Sequence, residues 1–156
     1  MDDVNQDFLY RNTNRIDIAQ EKAEEYFTSR KIFWKAFGTD PKDNNPVPKK
    51  EFFLMPKFIQ RTPDMFAINS KFVFIEVKGC KESVKIKLDD YTEYIKWNEI
   101  APLMFFIYSA TLEQRYLLYM TAIQEKMIGA NIGRYNDNNK LYFEIDIMSL
   151  GEFAIV

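Results

Sequence analysis

The hydrophobic and polar positions of the chain follow two periods, and their order predicts helices interleaved with strands. Apolar residues recur every three to four positions across 13–30, behind the capping-type residues Thr13 and Asn14, which predicts a helix. Two more helices are predicted at 91–98 and 122–129. Shorter apolar and aromatic runs predict strands at 31–37, 64–69, 72–78, 103–109, 115–121 and 141–147. This order indicates an α/β sandwich, in which a mixed central sheet is flanked by helices.

The segments between these elements predict loops and one irregular strand. Residues 39–50 contain three prolines and two asparagines without hydrophobic periodicity, which predicts a loop, and 133–140 is predicted to be a turn. Residues 51–60 are predicted to begin a strand, which Pro56 restricts to a sheet edge or to an irregular entry into the strand. Neither a repeat nor a domain boundary is visible in the sequence. We therefore expect one domain over 1–156, with its core at 13–109 and a C-terminal extension at 110–156.

Charged residues interrupt the two apolar strands at the centre of the chain. Asp64, Glu76 and Lys78 lie within "PDMFAINSKFVFIEVKG", where a buried charge is costly unless it is paired or bound. A two-residue turn between the strands would place Asp64 opposite Ile75 and would direct Glu76 to the other face. A three-residue turn at 69–71 instead pairs Asp64 with Glu76, and all three charges then project from one face at one end of the hairpin.

The three-residue turn also leaves the rest of both hairpin faces apolar. The two sets of side chains are Met65, Ala67, Val73, Ile75 and Val77 on one face, and Phe66, Ile68, Phe72 and Phe74 on the other. Strands covered on both faces have this composition, so the pattern favours the three-residue turn. Two facing carboxylates repel each other, and a divalent cation such as Mg²⁺ would neutralise both through oxygen ligands. The alternative is an Asp–Lys–Glu ion-pair cluster at the end of a strand.

Composition excludes several classes of enzyme. Among the 156 residues, 47% are hydrophobic, which is enough for a core, but none is histidine. Without histidine there is no Ser-His-Asp or Cys-His relay and no histidine-ligated zinc. The single cysteine, Cys80, excludes an internal disulfide and a cysteine-based zinc site. The five glycines form no phosphate-binding loop of a common pattern, which disfavours nucleotide-cofactor enzymes.

The sequence favours an intracellular protein without a membrane segment. The longest uncharged apolar run, 101–108, is too short to span a bilayer, and the first residues are acidic and polar, unlike a signal peptide. Positive charge is concentrated around the hairpin. Residues 49–87 hold nine Lys or Arg against four acidic residues, although the whole chain has a net charge of −2. Such a segment is typical of a phosphate-binding face, although lysines also decorate exposed strand ends.

The motif Pro63-Asp64, followed after eleven residues by Glu76-Val77-Lys78, resembles the signature of the PD-(D/E)xK nuclease superfamily. The order of elements across 13–109 is similar to the helix, three strands, helix and strand of that family. The resemblance implies a restriction-endonuclease-like fold, close in kind to small stand-alone phage nucleases and Holliday-junction-resolvase-like enzymes. The chain lacks the glutamine that some branches of the family carry in the next helix.

The resemblance also implies the roles of the motif residues. Asp64, Glu76 and the backbone carbonyl of Val77 would bind one or two Mg²⁺ or Mn²⁺ ions. Lys78 would act on the attacking water or on the phosphate. The family usually adds an acidic residue from the first helix, and Glu21 is the best match. Glu21 is therefore expected to be both a catalytic residue and a metal ligand.

Other positions near the motif are candidates for the same site. Glu24 and Glu25 compete with Glu21 for the role of the helix acid, and a solvated acidic face is the alternative for all three. Four residues after the motif are candidates for binding the substrate: Lys81, Lys85, Lys87 and Tyr94. The lysines would contact the phosphate backbone, and Tyr94 would stack on a base unless it belongs to the core.

The implied function is Mg²⁺- or Mn²⁺-dependent hydrolysis of phosphodiester bonds in nucleic acid, with DNA favoured over RNA. It fits DNA processing by a phage or a mobile element, and a viral origin and a homodimer are both compatible with it. One alternative is a non-catalytic nucleic-acid-binding module on the same fold. Another is a protein-interaction domain in which the charged cluster is structural.

Overall fold

A computed structural model describes residues 18–39 and 47–151 of the chain. The first helix, α1, is described over 18–29, so the predicted start of this helix at 13–17 lies outside the described residues. Most of the predicted loop, 40–46, lies outside them as well. No helix within the two described ranges is long and apolar enough to cross a membrane.

Helices and strands alternate along the chain. After α1, the helices are α2 (Lys49–Leu54), α3 (Lys57–Gln60), α4 (Leu88–Ile100) and α5 (Met120–Met127), with a final 3₁₀ turn at Ile147–Leu150. The strands are β1 (Phe33–Ala36), β2 (Met65–Asn69), β3 (Lys71–Cys80), β4 (Ser83–Lys87), β5 (Leu103–Ser109), β6 (Gln114–Tyr119), β7 (Asn131–Arg134) and β8 (Leu141–Asp146).

Five of the strands form a mixed central sheet in the order β1-β2-β3-β5-β6. Strands β3 and β5 pair in parallel, and the other neighbours pair antiparallel. The parallel pair needs a crossover, which contains α4. The predicted fold class, a mixed sheet flanked by helices, is confirmed.

The hairpin β2–β3 has the register predicted for the three-residue turn. Phe66 pairs with Phe74 and Ile68 with Phe72, with Ser70 at the tip of the turn. Ser70 adopts the left-handed conformation, with φ 62°, which the turn requires. Continued by one residue beyond β2, this register places Asp64 opposite Glu76.

Two hydrophobic cores cover the two faces of the central sheet. Helix α1 packs on one face, and its buried side chains meet Met65, Ile75 and Val77 of the hairpin. Helix α4 covers the other face, where Tyr94 and Trp97 join a larger core. Strand β5 serves both cores, because side chains alternate along a strand: Phe105 belongs to the α4 core and Phe106 to the α1 core. Burying each phenyl ring contributes roughly 2–3 kcal/mol to the stability of the fold.

The segment 51–60 differs from its prediction. It contains parts of two short helices, α2 and α3, and no strand. Pro48 and Pro56 occupy the N-cap positions of these helices, so each proline lies where its missing N–H costs nothing. Pro56 therefore separates two helical turns, whereas the sequence interpretation gave it a place at a sheet edge.

A second sheet was not predicted from the sequence. It contains three antiparallel strands in the order β4-β8-β7. Strand β7 extends into the first two residues of the predicted turn at 133–140. The segment of β4 was interpreted from the sequence only as a source of basic residues. Val84 and Ile86 of β4 are buried in the α4 core. This alternation is visible in the sequence, but strands of four or five residues form only when a partner strand is available.

Candidate active site

The end of the hairpin brings Asp64 against the backbone of β3. The Val77 amide donates a hydrogen bond of 2.7 Å to Oδ2 of Asp64. The Asp64 carbonyl accepts hydrogen bonds from the amides of Phe37 and Gly38, at 2.9 and 3.2 Å. A Cβ atom at Gly38 would lie 3.3 Å from the Asp64 Cα atom, so the glycine allows this close approach. Asp64 is thus held from both sides just before β2 begins.

The Val77 carbonyl points to the same place as the Val77 amide. Within a strand, the N–H and C=O of one residue face the same neighbour. The Val77 amide faces the Asp64 side chain, at a level where β2 has not yet begun. The Val77 carbonyl therefore faces the same edge of β3 as the Val77 amide, and its role as a ligand stays a prediction.

Glu76 is a buried carboxylate with two hydrogen-bonding partners. It is 5% exposed, and its Oε1 atom lies 2.7 Å from Nζ of Lys78. The Tyr94 hydroxyl donates a hydrogen bond of 2.5 Å to the same oxygen. Lys78 also donates to the Tyr94 hydroxyl at 3.3 Å. The three polar groups form a closed triangle, which satisfies the buried charge of Glu76.

The same triangle determines the pKa of its two donors. Burial lowers the pKa of Lys78. The charge of Glu76 raises it, and Tyr94, Asp90 and Asp64 raise it further. The pKa of Lys78 consequently lies well above its usual value, and the side chain is an ammonium at neutral pH. Burial and the adjacent carboxylate also hold the pKa of Tyr94 well above its usual value, so the phenol stays protonated.

The buried position of Tyr94 differs from the base-stacking role considered from the sequence. Its side chain is 3% exposed, and its ring packs edge to face on Phe105 with centroids 5.6 Å apart. A ring packed in this way has no open face for a base. Tyr94 instead orients the Glu76 carboxylate from helix α4, a contact between residues eighteen positions apart that spacing alone did not reveal.

Helix α1 does not bring Glu21 to the two hairpin acids. The buried positions of this helix are Ala19, Ala23, Tyr26 and Phe27. Successive residues turn by about 100°, so Glu21 lies on the opposite side and is exposed. Within 18–39 and 47–151, no three acidic, cysteine or histidine side chains are grouped to hold a metal. The structure therefore differs from the expectation for Glu21, because the apolar positions that anchor α1 direct this side chain to solvent.

The two alternative helix acids have partners within α1. Glu25 is exposed and forms an ion pair of 2.9 Å with Lys22. Glu24 is half-buried and accepts a hydrogen bond of 3.1 Å from Gln20. Neither contact reaches the hairpin.

We expect the Glu21→Gln, Glu24→Gln and Glu25→Gln variants to retain turnover within about twofold, because surface substitutions of this kind change free energies little. Initial rates with Mg²⁺ on one nucleic-acid substrate would measure this. A large loss for one variant alone would show that α1 supplies a third acid and would identify it.

A group of cations surrounds the triangle on the side of α3 and β4. Arg61 forms an ion pair with Asp90 in the first turn of α4, and both side chains are largely buried. Burial lowers the pKa of Lys87, and the nearby cations Lys78, Lys140 and Arg61 lower it further against the opposing effect of Asp90. Nearby like charges disfavour the charged form of Lys87. Neither Arg61 nor Asp90 was identified from the sequence. The acidic first turn of α4 was a signal for Asp90, and the sequence carried no such signal for Arg61.

The predicted substrate-binding lysines occupy two different places. Lys81 is exposed just beyond the end of β3. Lys85 and Lys87 lie on β4, two residues apart, and therefore share the outer face of the second sheet. Lys87 is close enough to Lys78 of the triangle, and to Asp90, for their charges to act on it. Lys85 lies on the same face of β4, two residues further from the triangle.

The donor atoms at the end of the hairpin fit a hard divalent cation. Two carboxylates and one backbone carbonyl are oxygen ligands, and Mg²⁺ commonly binds through one or two carboxylates while it keeps several waters. Asp64, Glu76 and Val77 supply this set. The present partner of Glu76 is the Lys78 ammonium, a positive charge in the place where a cation would be expected.

Comparisons with known proteins bear on the fold. The chain is similar to Hjc of Archaeoglobus fulgidus, a Holliday junction resolvase from an archaeal hyperthermophile, with a TM-score of 0.53 and 10% sequence identity over 89% of this chain and 88% of that chain. At this identity the likeness concerns the fold alone, and it agrees with the fold expected from the sequence.

A second, weaker likeness is to D212, a nuclease from a fusselovirus. It covers 94% of this chain and 84% of that chain, with 8% identity and a TM-score of 0.45, which is too low to bear on the fold. Neither the protein-family models nor the curated protein sequences contain a match to this sequence.

Proposed function

We propose that this protein is a metal-dependent nuclease that hydrolyses phosphodiester bonds of DNA. One observation carries the proposal: the register of the hairpin places Asp64, Glu76, the Val77 carbonyl and Lys78 at one end of the central sheet. The fold supports it, because it is shared with a Holliday junction resolvase. DNA processing in a virus or mobile element is part of the same proposal.

The metal ligands proposed are Asp64, Glu76 and the Val77 carbonyl. A bound Mg²⁺ or Mn²⁺ would ease the deprotonation of the attacking water and offset charge at the phosphate. Asp64 is preorganised for binding by the Val77 amide and by the end of β1. Glu76 is oriented by the Tyr94 hydroxyl, so neither carboxylate has to reorganise.

Lys78 acts on the phosphate or the water as a cation. Beside the Glu76 carboxylate its pKa lies well above the usual value, so the side chain carries a proton at neutral pH in the metal-free protein. With a divalent cation held by the hairpin acids, Lys78 would be available to donate to the scissile phosphate. Lys87 and Arg61 extend the positive charge along the path of the backbone.

The function is tested by incubating the protein with single-stranded, duplex and branched DNA and with RNA, each with Mg²⁺, Mn²⁺ or EDTA. We expect cleavage of DNA with either metal and none with EDTA. Salt-dependent binding without cleavage would instead support the non-catalytic nucleic-acid-binding module. Neither cleavage nor binding would support the protein-interaction domain.

We expect Tyr94→Phe to lower turnover about 10- to 100-fold, because groups that orient a metal ligand contribute this much. The free energy of unfolding should fall by about 1–2 kcal/mol, since one buried hydrogen bond is lost. Turnover at saturating Mg²⁺ and urea denaturation would measure the two effects.

Tyr116→Phe is the matched control for this variant. Tyr116 is equally buried, at 3% exposure, but its hydroxyl donates to Gln114 on β6, away from the hairpin acids. The control should lose stability without losing turnover. Equal turnover in the two variants would show that the Tyr94 hydroxyl does not orient Glu76 for catalysis.

A further inference from the structure

The outer face of the second sheet carries aromatic and basic side chains beside the candidate active site. On β4 and β8, the residues that point inward are buried, among them Val84, Ile86 and Ile145. The alternate residues point outward, and the register pairs Lys87 directly with Tyr142. This face is opposite the one that packs on the core, and its side chains are exposed or half-buried.

Two tyrosines lie together on this face. The rings of Tyr135 and Tyr142 have centroids 4.5 Å apart at an angle of 56°, and both residues are half-buried. Neither belongs to the two hydrophobic cores described above. Their contact therefore builds an aromatic surface and contributes little to the cores.

Two lysines flank the tyrosine pair. Nζ of Lys85 lies over the ring of Tyr142, 4.6 Å from its centroid, and 5.9 Å from the centroid of Tyr135, while Nζ of Lys87 lies over the ring of Tyr135 at 5.5 Å. These cation–π contacts occupy the rings in the free protein, and a bound strand would draw both ammonium groups to its phosphates. Glu144 shares the face, with one carboxylate oxygen 4.0 Å from Lys85 and 2.7 Å from the Ser83 hydroxyl. Lys87 lies on the side nearer the hairpin acids, where the carboxylate that acts on it is Asp90 of α4.

A glycine allows the far end of the Tyr142 ring to approach strand β7 closely. Gly133 pairs with Tyr142, and a Cβ atom on this glycine would come within 2.4 Å of the Tyr142 ring. Any other residue would push the ring away from the sheet. The orientation of Tyr142 therefore depends on Gly133.

The tyrosine pair is continuous with the candidate active site. Burial raises the pKa of Tyr135, and the charges of Lys78 and Asp90 are close enough to act on the same phenol. Lys87 is within reach of Lys78 and Asp90 as well. A nucleic-acid strand that leaves the hairpin acids on this side would pass Lys87 and then the two rings.

We propose that Tyr135 and Tyr142 form a stacking surface for unpaired bases of a nucleic-acid strand, whose phosphates contact Lys85 and Lys87. This inference rests on the proposed nuclease function, since it assigns a substrate class to that site. Stacking needs a base whose face is open, so the surface selects single-stranded segments. Aromatic rings between lysines on an open sheet are the usual chemistry of such binding.

The test measures binding in EDTA, where cleavage cannot proceed. The probes are a fluorescein-labelled oligothymidylate, an abasic strand of the same length and a duplex. Tyr135→Ala and Tyr142→Ala should each weaken binding of the oligothymidylate by about tenfold and leave the abasic strand unaffected. Tyr135→Phe and Tyr142→Phe should bind like the wild type, because a phenyl ring also stacks. Tyr119→Ala, which removes an exposed tyrosine of β6, is the matched control.

Gly133→Ala provides a second variant that keeps both tyrosines. Its methyl group would displace the far end of the Tyr142 side chain, which can move without disturbing the backbone. We expect weaker binding of the oligothymidylate with unchanged thermal unfolding. This variant keeps the inference testable if removal of a tyrosine unfolds the second sheet.

The inference and the nuclease function can fail separately. If the wild type cleaves DNA with Mg²⁺ while all tyrosine and glycine variants bind the oligothymidylate normally, the stacking surface is refuted and the function stands. If the variants lose single-strand binding but no metal supports cleavage, the surface stands and the function is refuted. Equal loss of affinity for the abasic strand or the duplex would also refute base stacking.

Discussion

Asp64→Asn and Glu76→Gln are each expected to abolish metal-dependent cleavage, with turnover reduced on the order of 10³-fold or more. Each change replaces a carboxylate that would bind the metal with a neutral amide, and charge stabilisation in a preorganised site is commonly the largest catalytic term. The hairpin register, continued by one residue from the Met65–Ile75 pair, brings the two residues opposite each other, so the loss of either would leave the proposed ligand set incomplete.

The two variants should differ in stability. In Asp64→Asn the amide oxygen still accepts the Val77 hydrogen bond, so the free energy of unfolding should change by less than about 1 kcal/mol. In Glu76→Gln the Lys78 ammonium and the Tyr94 hydroxyl still have an oxygen acceptor, but the negative charge of the carboxylate is lost. We expect a loss of about 1–3 kcal/mol for this variant.

Turnover, calorimetric titration with Mn²⁺ and urea denaturation would measure these effects. Glu99→Gln, which changes an exposed acid of α4, is the control and should match the wild type in all three. If Asp64→Asn remained folded and fully active, the metal site would have to be abandoned. If both hairpin variants unfolded, the ion-pair cluster would be structural.

Lys78→Ala is expected to reduce turnover by roughly 10²- to 10⁴-fold while metal binding is retained. The lysine contacts Glu76 and is not itself a ligand, so its removal leaves the two carboxylates in place. Removal also takes away the positive charge that competes with the metal beside Glu76. Affinity for Mn²⁺ should therefore stay the same or increase.

Lys78→Arg should also have low turnover, although it keeps the charge. The ammonium fits between the Glu76 carboxylate and the Tyr94 hydroxyl, and a planar guanidinium is larger and has a different arrangement of donors. Lys126→Ala in α5 controls for the loss of a lysine elsewhere. Wild-type turnover in Lys78→Ala, with Mn²⁺ still bound, would exclude a catalytic role for this residue.

Several features of the protein could be predicted from its sequence because they depend on local periodicity. The helices at α1, α4 and α5 and most strands of the central sheet follow from apolar spacing. The register of the hairpin follows as well, since a shift by one residue would expose a whole apolar face. With this register, Asp64, Glu76 and Lys78 of the motif share one face at one end of the hairpin. Their catalytic roles stay predictions.

Tertiary structure decided the features that depend on contacts between distant segments. Tyr94 reaches Glu76 only because α4 crosses the face of the sheet on which Glu76 lies. The short strands β4 and β7 exist only through pairing with β8, and this pairing brings Tyr135 and Tyr142 together. Glu21 is directed to solvent because the apolar face of α1 determines how the helix sits on the sheet. Local propensity carries no information about such long-range packing, which is where the sequence interpretation and the structure differ.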